Sequence, residues 1–245
     1  MARPDNPRIS VLIPALDEAG NLPALLADLQ PWRAAGDEVI VCDGGSRDGT
    51  AELARAGSDR VISASPGRAR QMNAAAAVAR GRLLWFVHAD SRIPSRLRTQ
   101  LLEADAEDVA WGRFDVRLSC PRPIFRVIAA AMNARSRLSG IATGDQGIFV
   151  RGEAFRAVGG FPEQPLMEDV ALSTRLRQRL GVPHCLAGPL WASSRRWEVH
   201  GIWRTVSLMW RLRYAYWRGA DPSVLHARYY GSGGSVGEGK RCGDC

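Results

Sequence analysis

The first 90 residues alternate between short apolar runs and helical stretches, and no other feature constrains the fold as strongly. Ile9 to Pro14 (ISVLIP), Glu38 to Cys42 (EVIVC), Arg60 to Ser63 and Arg82 to Val87 (RLLWFV) read as strands. Apolar runs without polar alternation suit strands buried on both faces of a parallel sheet. Asn21 to Leu29, Asp48 to Ala56 and Gly67 to Arg80 read as the intervening helices, with Asn21 as an N-cap and Gly81 closing the third. Strands joined through helices by a few residues predict a doubly wound, mostly parallel α/β sheet. In such sheets ligands bind beyond the carboxyl ends of the strands. The polar clusters Asp17-Glu18, Asp43 to Asp48 and His88 to Asp90 all fall at those ends.

The second half is less regular. Val109 to Leu118 and Gly147 to Val150 read as strands; Ile124 to Ser136, Glu168 to Arg179 and Trp203 to Arg218 read as helices. At 245 residues and 46% hydrophobic, the chain can bury the core of one large domain. We expect a catalytic domain over residues 1–200, a Trp/Arg-rich helical extension over 201–230 and a flexible glycine-rich tail over 231–245. No run reaches the roughly 20 apolar residues needed to span a bilayer.

The net charge is +8, and Lys240 is the one lysine among 33 basic residues. Between Trp191 and Arg228 seven arginines face only Glu198 and Asp221. Such an end meets phosphates, nucleic acid or anionic lipid, or is simply a solvated surface. Five scattered cysteines behind an N-terminus without an apolar stretch predict free thiols in a reducing cytoplasm. Cys242 and Cys245 form a C-x-x-C with no second pair and no nearby His, which argues against zinc.

Three clusters can carry chemistry. Asp43, at a strand end before Gly44-Gly45-Ser46, can accept hydrogen bonds from a base or ribose; as a bland alternative it caps a tight turn. His88 and Asp90, one residue apart after a strand, project to the same side and suit Mg²⁺ or Mn²⁺. Glu168 and Asp169 open a helix, where acids suit the dipole; if they face the cleft, one is a general base.

Taken in order, the motifs resemble the family 2 glycosyltransferases. The matching stretches are SVLIPALDEAGNL (10–22), VIVCDGGSRDGT (39–50), GRARQMNAAAAVARGRLLWFVHADSRI (67–93), GDQGIFVRGEAFRAVGGFPE (144–163) and MEDVALSTRLRQ (167–178). The resemblance implies a GT-A fold, a nucleoside-diphosphate sugar donor, a Mn or Mg ion, and an inverting transfer to a hydroxyl or carboxyl acceptor. By position, Pro14, Ala15, Asp17 and Glu18 fall where the family's first loop meets the nucleotide. Asp43 falls on the acid that holds the base, with Ser46 and Asp48 in the same turn. Arg68, Arg70 and Asn73 fall on the segment over the nucleotide and its phosphates. Asp90 falls on the metal-binding Asp of the D-x-D motif, and Asp169, with Glu168 before it, on the base of the E-D motif.

There are departures. His88 replaces the first acid of D-x-D, and Asp17 stands where Asn is usual. Asp145 and Gln146 occupy the acceptor loop and are expected to read a hydroxyl. Of the Q-x-x-R-W of processive members only Arg196 and Trp197 remain, so a polymer-extruding synthase is not expected. The HAD variant with SSRRW-x-x-HG-x-WRT (193–205) is similar to a small bacterial subgroup, some of whose relatives are linked to glycosylation of carotenoid acids. A lipid-like acceptor is therefore expected.

Trp203, Val206, Trp210, Tyr214 and Trp217 share one helix face, flanked by Arg204, Arg211 and Arg218. Leu208, Met209 and Leu212 form a second apolar face. One face for the core and one for a membrane interface predicts peripheral contact with the cytoplasmic side of a bilayer. Two alternatives stand: a nucleotidyltransferase on a related sheet, and a basic membrane or nucleic-acid binding protein. PALDEAGN lacks the basic, glycine-rich grip of the first, and the acids in the cleft argue against nucleic acid as a partner.

Overall fold

The computed structural model describes residues 7–231. In chain order the elements are β1 (Ile9–Ala15), α1 (Leu22–Ala34), β2 (Glu38–Asp43), α2 (Thr50–Gly57), β3 (Arg60–Ser63), α3 (Arg68–Val78), β4 (Leu83–Phe86), α4 (Arg96–Ala106), β5 (Trp111–Leu118) and α5 (Pro123–Ser139). A 3₁₀ turn over Gly144–Gln146 follows, then β6 (Phe149–Arg151), α6 (Gly152–Ala157), α7 (Glu168–Leu180), β7 (His184–Ala192), α8 (Arg195–His200), α9 (Ile202–Trp217) and α10 (Pro222–Tyr230).

The seven strands form one sheet in the order β3-β2-β1-β4-β6-β5-β7. β6 runs antiparallel to both of its neighbours, and every other pairing is parallel. The mostly parallel α/β sheet flanked by helices, with a helical C-terminal extension, is the expected fold. Every residue of β1 and β2 is buried, as strands covered on both faces require. Alternate residues feed two cores. Ile9, Val11 and Ile13 pack with α1 and α4, while Leu12, Ile40 and Cys42 pack with α3 and α7.

Helix α1 buries Leu22, Leu25, Leu26, Leu29 and Trp32, an i, i+3, i+4, i+7 stripe. It runs past Leu29 and through Pro31 because Trp32 stacks on Trp85, ring centroids 5.0 Å apart. The Asn21 side chain accepts from no helix N–H; its amide donates to Glu18 Oε2 at 2.7 Å. Sequence patterning also missed α4, α6, α8, α10 and β7. In β7 the internal Gly188-Pro189 hid the strand, because that pair reads as a turn. The close pairing of β7 with β5 depends on Gly112, where a Cβ would lie 2.2 Å from the His184 carbonyl oxygen.

Helix α9 has the two expected faces. Leu212 is buried, and Leu208 and Met209 pack beside it against Leu166, Met167 and Leu225. Trp203, Trp210, Tyr214 and Trp217 are each more than 60% exposed. Among the described residues no helix is long and apolar enough to cross a membrane. The expected glycine-rich tail, with Cys242 and Cys245, lies outside the described residues from position 232 on.

Candidate active site

The loops after β1 and β2 are knotted together by their own polar groups. Asp17, at φ 53°, accepts from Arg47 N at 2.8 Å and donates its own N–H to Ser46 Oγ. That backbone conformation is tolerable because the short Asp side chain bonds locally. Asp48 accepts from Ala19 N and Thr50 N, and Thr50 Oγ1 accepts from Glu18 N. Burial alone would raise the Asp48 carboxyl, but the bonds from Thr50 and Ala19 hold it below its ordinary value. Asp43 is buried and accepts from Gly45 N and Ser46 N. The expected nucleotide-loop acids therefore first of all shape the loop. Pro14 and Ala15 are buried in β1 beneath it.

A residue the sequence reading passed over fastens this layer. Gln71 of α3 is buried, and its Nε2 donates to Ala15 O at 2.7 Å and Cys42 O at 2.9 Å, joining the ends of β1 and β2. A lone polar side chain inside an alanine-rich helix was the available signal. Asn73, expected over the phosphates, is engaged by protein: its amide donates to Phe161 O at 2.8 Å and accepts from Phe161 N at 2.9 Å. Arg70 is exposed and pairs with Glu163 at 3.4 Å.

Beyond β4 lies the second cluster. Asp90 is half-buried, and its carboxylate has no hydrogen bond or ion pair among the described residues. His88 is held on one ring edge and crowded on the other. Its Nδ1 is 3.3 Å from Asp145 Oδ1, and Gly144 sits so close to Nε2 that a Cβ there would come within 2.5 Å. Burial works against a charged His88, but the Asp145 hydrogen bond outweighs it and the imidazole titrates above its usual range. Gln146, expected to read an acceptor, is fully buried; its amide bonds Thr143 and approaches Asn133, so it stiffens the 3₁₀ turn that carries Asp145. Among the described residues no three His, Cys, Asp or Glu side chains come together as a metal cage.

The third cluster faces the second. Asp169 Oδ2 accepts from Gly144 N at 2.8 Å and Oδ1 from Val170 N at 2.7 Å, which fixes the carboxylate. Glu168 beside it is buried. Burial, and then the Asp169 charge, raise its carboxyl to about 7. Met167, just before them, sits at φ 64°, a strained setting for a non-glycine residue. It is held there by packing with Leu212 of α9 and Leu225 of α10. The C-terminal helices thus brace the acids.

These residues open on a cavity of about 610 Å³. Arg68, His88, Asp145, Glu168 and Asp169 line its inner end. α5 and α9 form its walls, with Ile128, Met132, Val206 and Met209 among the apolar side chains, and Trp197, Trp203 and Trp210 also line it. Arg196 does not reach it; its guanidinium lies over the Tyr229 ring at 3.5 Å and bonds the Tyr229 carbonyl, tying α8 to α10. His200, at the end of α8, is exposed and outside the cavity wall.

Comparison with known proteins agrees with this architecture. The sequence model of glycosyl transferase family 2 matches residues 10–159. No curated protein sequence matches. Among solved structures, S. aureus TarS 1-349 superposes with a TM-score of 0.61 at 20% identity, over 79% of this chain and 63% of that one. The same fragment in complex with UDP-GlcNAc gives 0.59 at 19% identity, over 76% and 58%. The M. tuberculosis glucosyl-3-phosphoglycerate synthase in complex with Mn²⁺, UDP and glucosyl-3-phosphoglycerate gives 0.56 at 21% identity, over 77% and 71%. At these identities the likeness is one of fold, and the chain spans less than two thirds of the TarS fragment.

Proposed function

The chain belongs to glycosyl transferase family 2, and from that premise we propose that it moves a sugar from a nucleoside-diphosphate sugar to a lipid-like acceptor with inversion at the anomeric carbon. One observation carries the reading: Arg68, His88, Asp145, Glu168 and Asp169, drawn from four separate stretches, line one end of a single cavity. The nucleotide lies over the β1 and β2 ends, where Asp43, Ser46 and the backbone of the first loop meet it. Asp169 takes the proton of an acceptor hydroxyl as the oxygen attacks the anomeric carbon, and the diphosphate leaves on the opposite side. Its two N–H bonds aim the carboxylate for that task. Arg68 counters the charge growing on the leaving group.

The residues fit a divalent ion sparsely. Asp90, in the turn after β4, is a carboxylate without a partner among the described residues, and Mg²⁺ or Mn²⁺ with one or two protein carboxylates completes its shell with phosphate and water. Bound there, the ion would neutralise the diphosphate. His88 supports this site from behind, holding Asp145.

The apolar length of the cavity favours an acceptor with a hydrocarbon portion. The exposed Trp203, Trp210 and Trp217, beside exposed Arg204, Arg211 and Arg218, favour entry from an anionic bilayer. Incubation with a panel of nucleotide sugars, Mn²⁺ and a lipid extract should release nucleoside diphosphate. Pyrophosphate instead would identify a nucleotidyltransferase. Wild type should co-sediment with anionic liposomes at low salt, and a Trp203/Trp210/Trp217 to Ser variant should stay in the supernatant. A wild type that also stays in the supernatant would remove the membrane from the account.

A further inference from the structure

Two guanidinium groups in the α5–α9 cavity make no ion pair among the described residues, although Asp145 and Asp169 line the same cavity and act on Arg135 from a distance. Arg135 of α5 makes one long bond, Nη1 to Ile141 O at 3.5 Å, and its Nη2 is buried without a partner. Arg213 of α9 lines the same cavity and makes no hydrogen bond or ion pair among the described residues. Burial, and then the charge of Arg213, push the Arg135 guanidinium down to about 10. A chain of 33 basic residues could have left these two facing water or an acid. Instead two like charges share a largely apolar chamber, an arrangement that an anion between them would relieve.

Position narrows which anion. The loops assigned to the nucleotide follow β1 and β2, whereas α5 packs on β5 and β7 through Phe125, Val116, Leu118 and Ala192. Arg135 thus belongs to the β5–β7 half of the sheet, set apart from the β1 and β2 loops assigned to the donor, and that half is the one we assign to the acceptor. Outward from the two arginines the walls are apolar: Val127, Ile128, Val206 and Trp210.

We infer that Arg135 and Arg213 form an oxyanion subsite, and that the acceptor is an amphiphile whose carboxylate or phosphate lies between them while its apolar chain follows the α5–α9 groove. The inference rests on the transferase reading of the cavity, and it deepens that reading by naming the acceptor's charge. The two guanidinium groups would anchor the head so that the attacking oxygen is held near Asp169. Charge, as well as hydrophobicity, would then select the acceptor.

The test is a titration of tryptophan fluorescence with dodecanoate, dodecyl phosphate and dodecanol below their aggregation limits, since Trp197, Trp203 and Trp210 line the cavity. Wild type should bind at least one anion about tenfold or more tightly than the alcohol, the scale of a charge-assisted hydrogen bond. The tighter of the two anions distinguishes a carboxylate from a phosphate head. Arg135→Gln and Arg213→Gln should each erase most of that preference and leave dodecanol binding unchanged. If Arg135→Gln does not fold, the half-buried Arg213 carries the test alone. Equal binding of dodecanol and both anions by wild type, or a preference that survives in a folded Arg213→Gln, would overturn the inference. So would variants that lose nucleoside diphosphate and Mn²⁺ affinity instead, because the pair would then serve the donor. A wild type that binds dodecanoate selectively but binds no nucleoside diphosphate would sink the transferase reading and leave the subsite standing.

Discussion

The two ends of the cleft solve opposite problems. Around β1, β2 and α3 nearly every polar group is answered within the protein: Asp17 by Arg47, Asp48 by Thr50 and Ala19, Asn73 by Phe161, Gln71 by two strand-end carbonyls. Around α5 and α9 aromatic rings stand in solvent, and two guanidinium groups make no ion pair among the described residues. The first region is a finished scaffold, presenting backbone and a few carboxylate edges to a ligand of fixed shape. The second is unfinished until something covers it. In the proposed reading the nucleotide-sugar donor meets the first region and an apolar acceptor the second.

The contrast can be broken at its boundary, where Asp169 stands. Asp169→Asn preserves the shape and can keep one of the two backbone N–H bonds, but it cannot take a proton. Transfer should fall by roughly 10²-fold or more, with donor affinity unchanged, in steady-state kinetics alongside calorimetric binding. Transfer near the wild-type rate would pass the role of base to Glu168 or Asp145.

On the donor side, Asp90→Ala should remove the Mn²⁺-dependent part of nucleoside diphosphate affinity while the melting temperature holds. His88→Ala should do less, because Nδ1 of its ring is already engaged by Asp145. Metal-dependent affinity that survives in a folded Asp90→Ala protein would exclude that carboxylate as a ligand.

The scaffold itself is tested at Asn73. Asn73→Ala leaves both Phe161 backbone groups unmade and should cost about 1–3 kcal/mol in denaturant unfolding. A loss of nucleotide affinity at unchanged stability would return Asn73 to the ligand.

The last test concerns Glu168, whose carboxyl rises from 4.5 to about 7 on folding. A raised carboxyl binds its proton more tightly in the folded chain. Its contribution to stability is complete below about 4.5 and is lost as pH rises through about 7. Glu168→Gln should therefore flatten that part of the stability–pH curve and melt above wild type at pH 8. An unchanged slope between those limits would mean the carboxylate is already ionised in the fold.

How much was legible in the chain differs by region for a physical reason. Strands β1, β2 and β4 announced themselves because burial on both faces demands unbroken apolar runs. The acids followed, since a parallel sheet gathers its loops at one edge. β7 was hidden because an internal Gly-Pro imitates a turn, and α4 because its single apolar face is short. Roles inside the site were harder. Asn73 and Gln146 look like ligand-facing amides in sequence, yet the fold engages one with a backbone 88 residues away and buries the other.

What the sequence determined by itself is the mostly parallel sheet, the order of its motifs and the two-faced character of α9, because these depend on local periodicity. Tertiary structure alone decided that α9 would pair its wall with α5, brace the strained Met167, and leave Arg135 and Arg213 sharing one chamber. Those outcomes depend on contacts between distant segments, and a side chain's neighbours across a cavity leave no periodic trace along the chain.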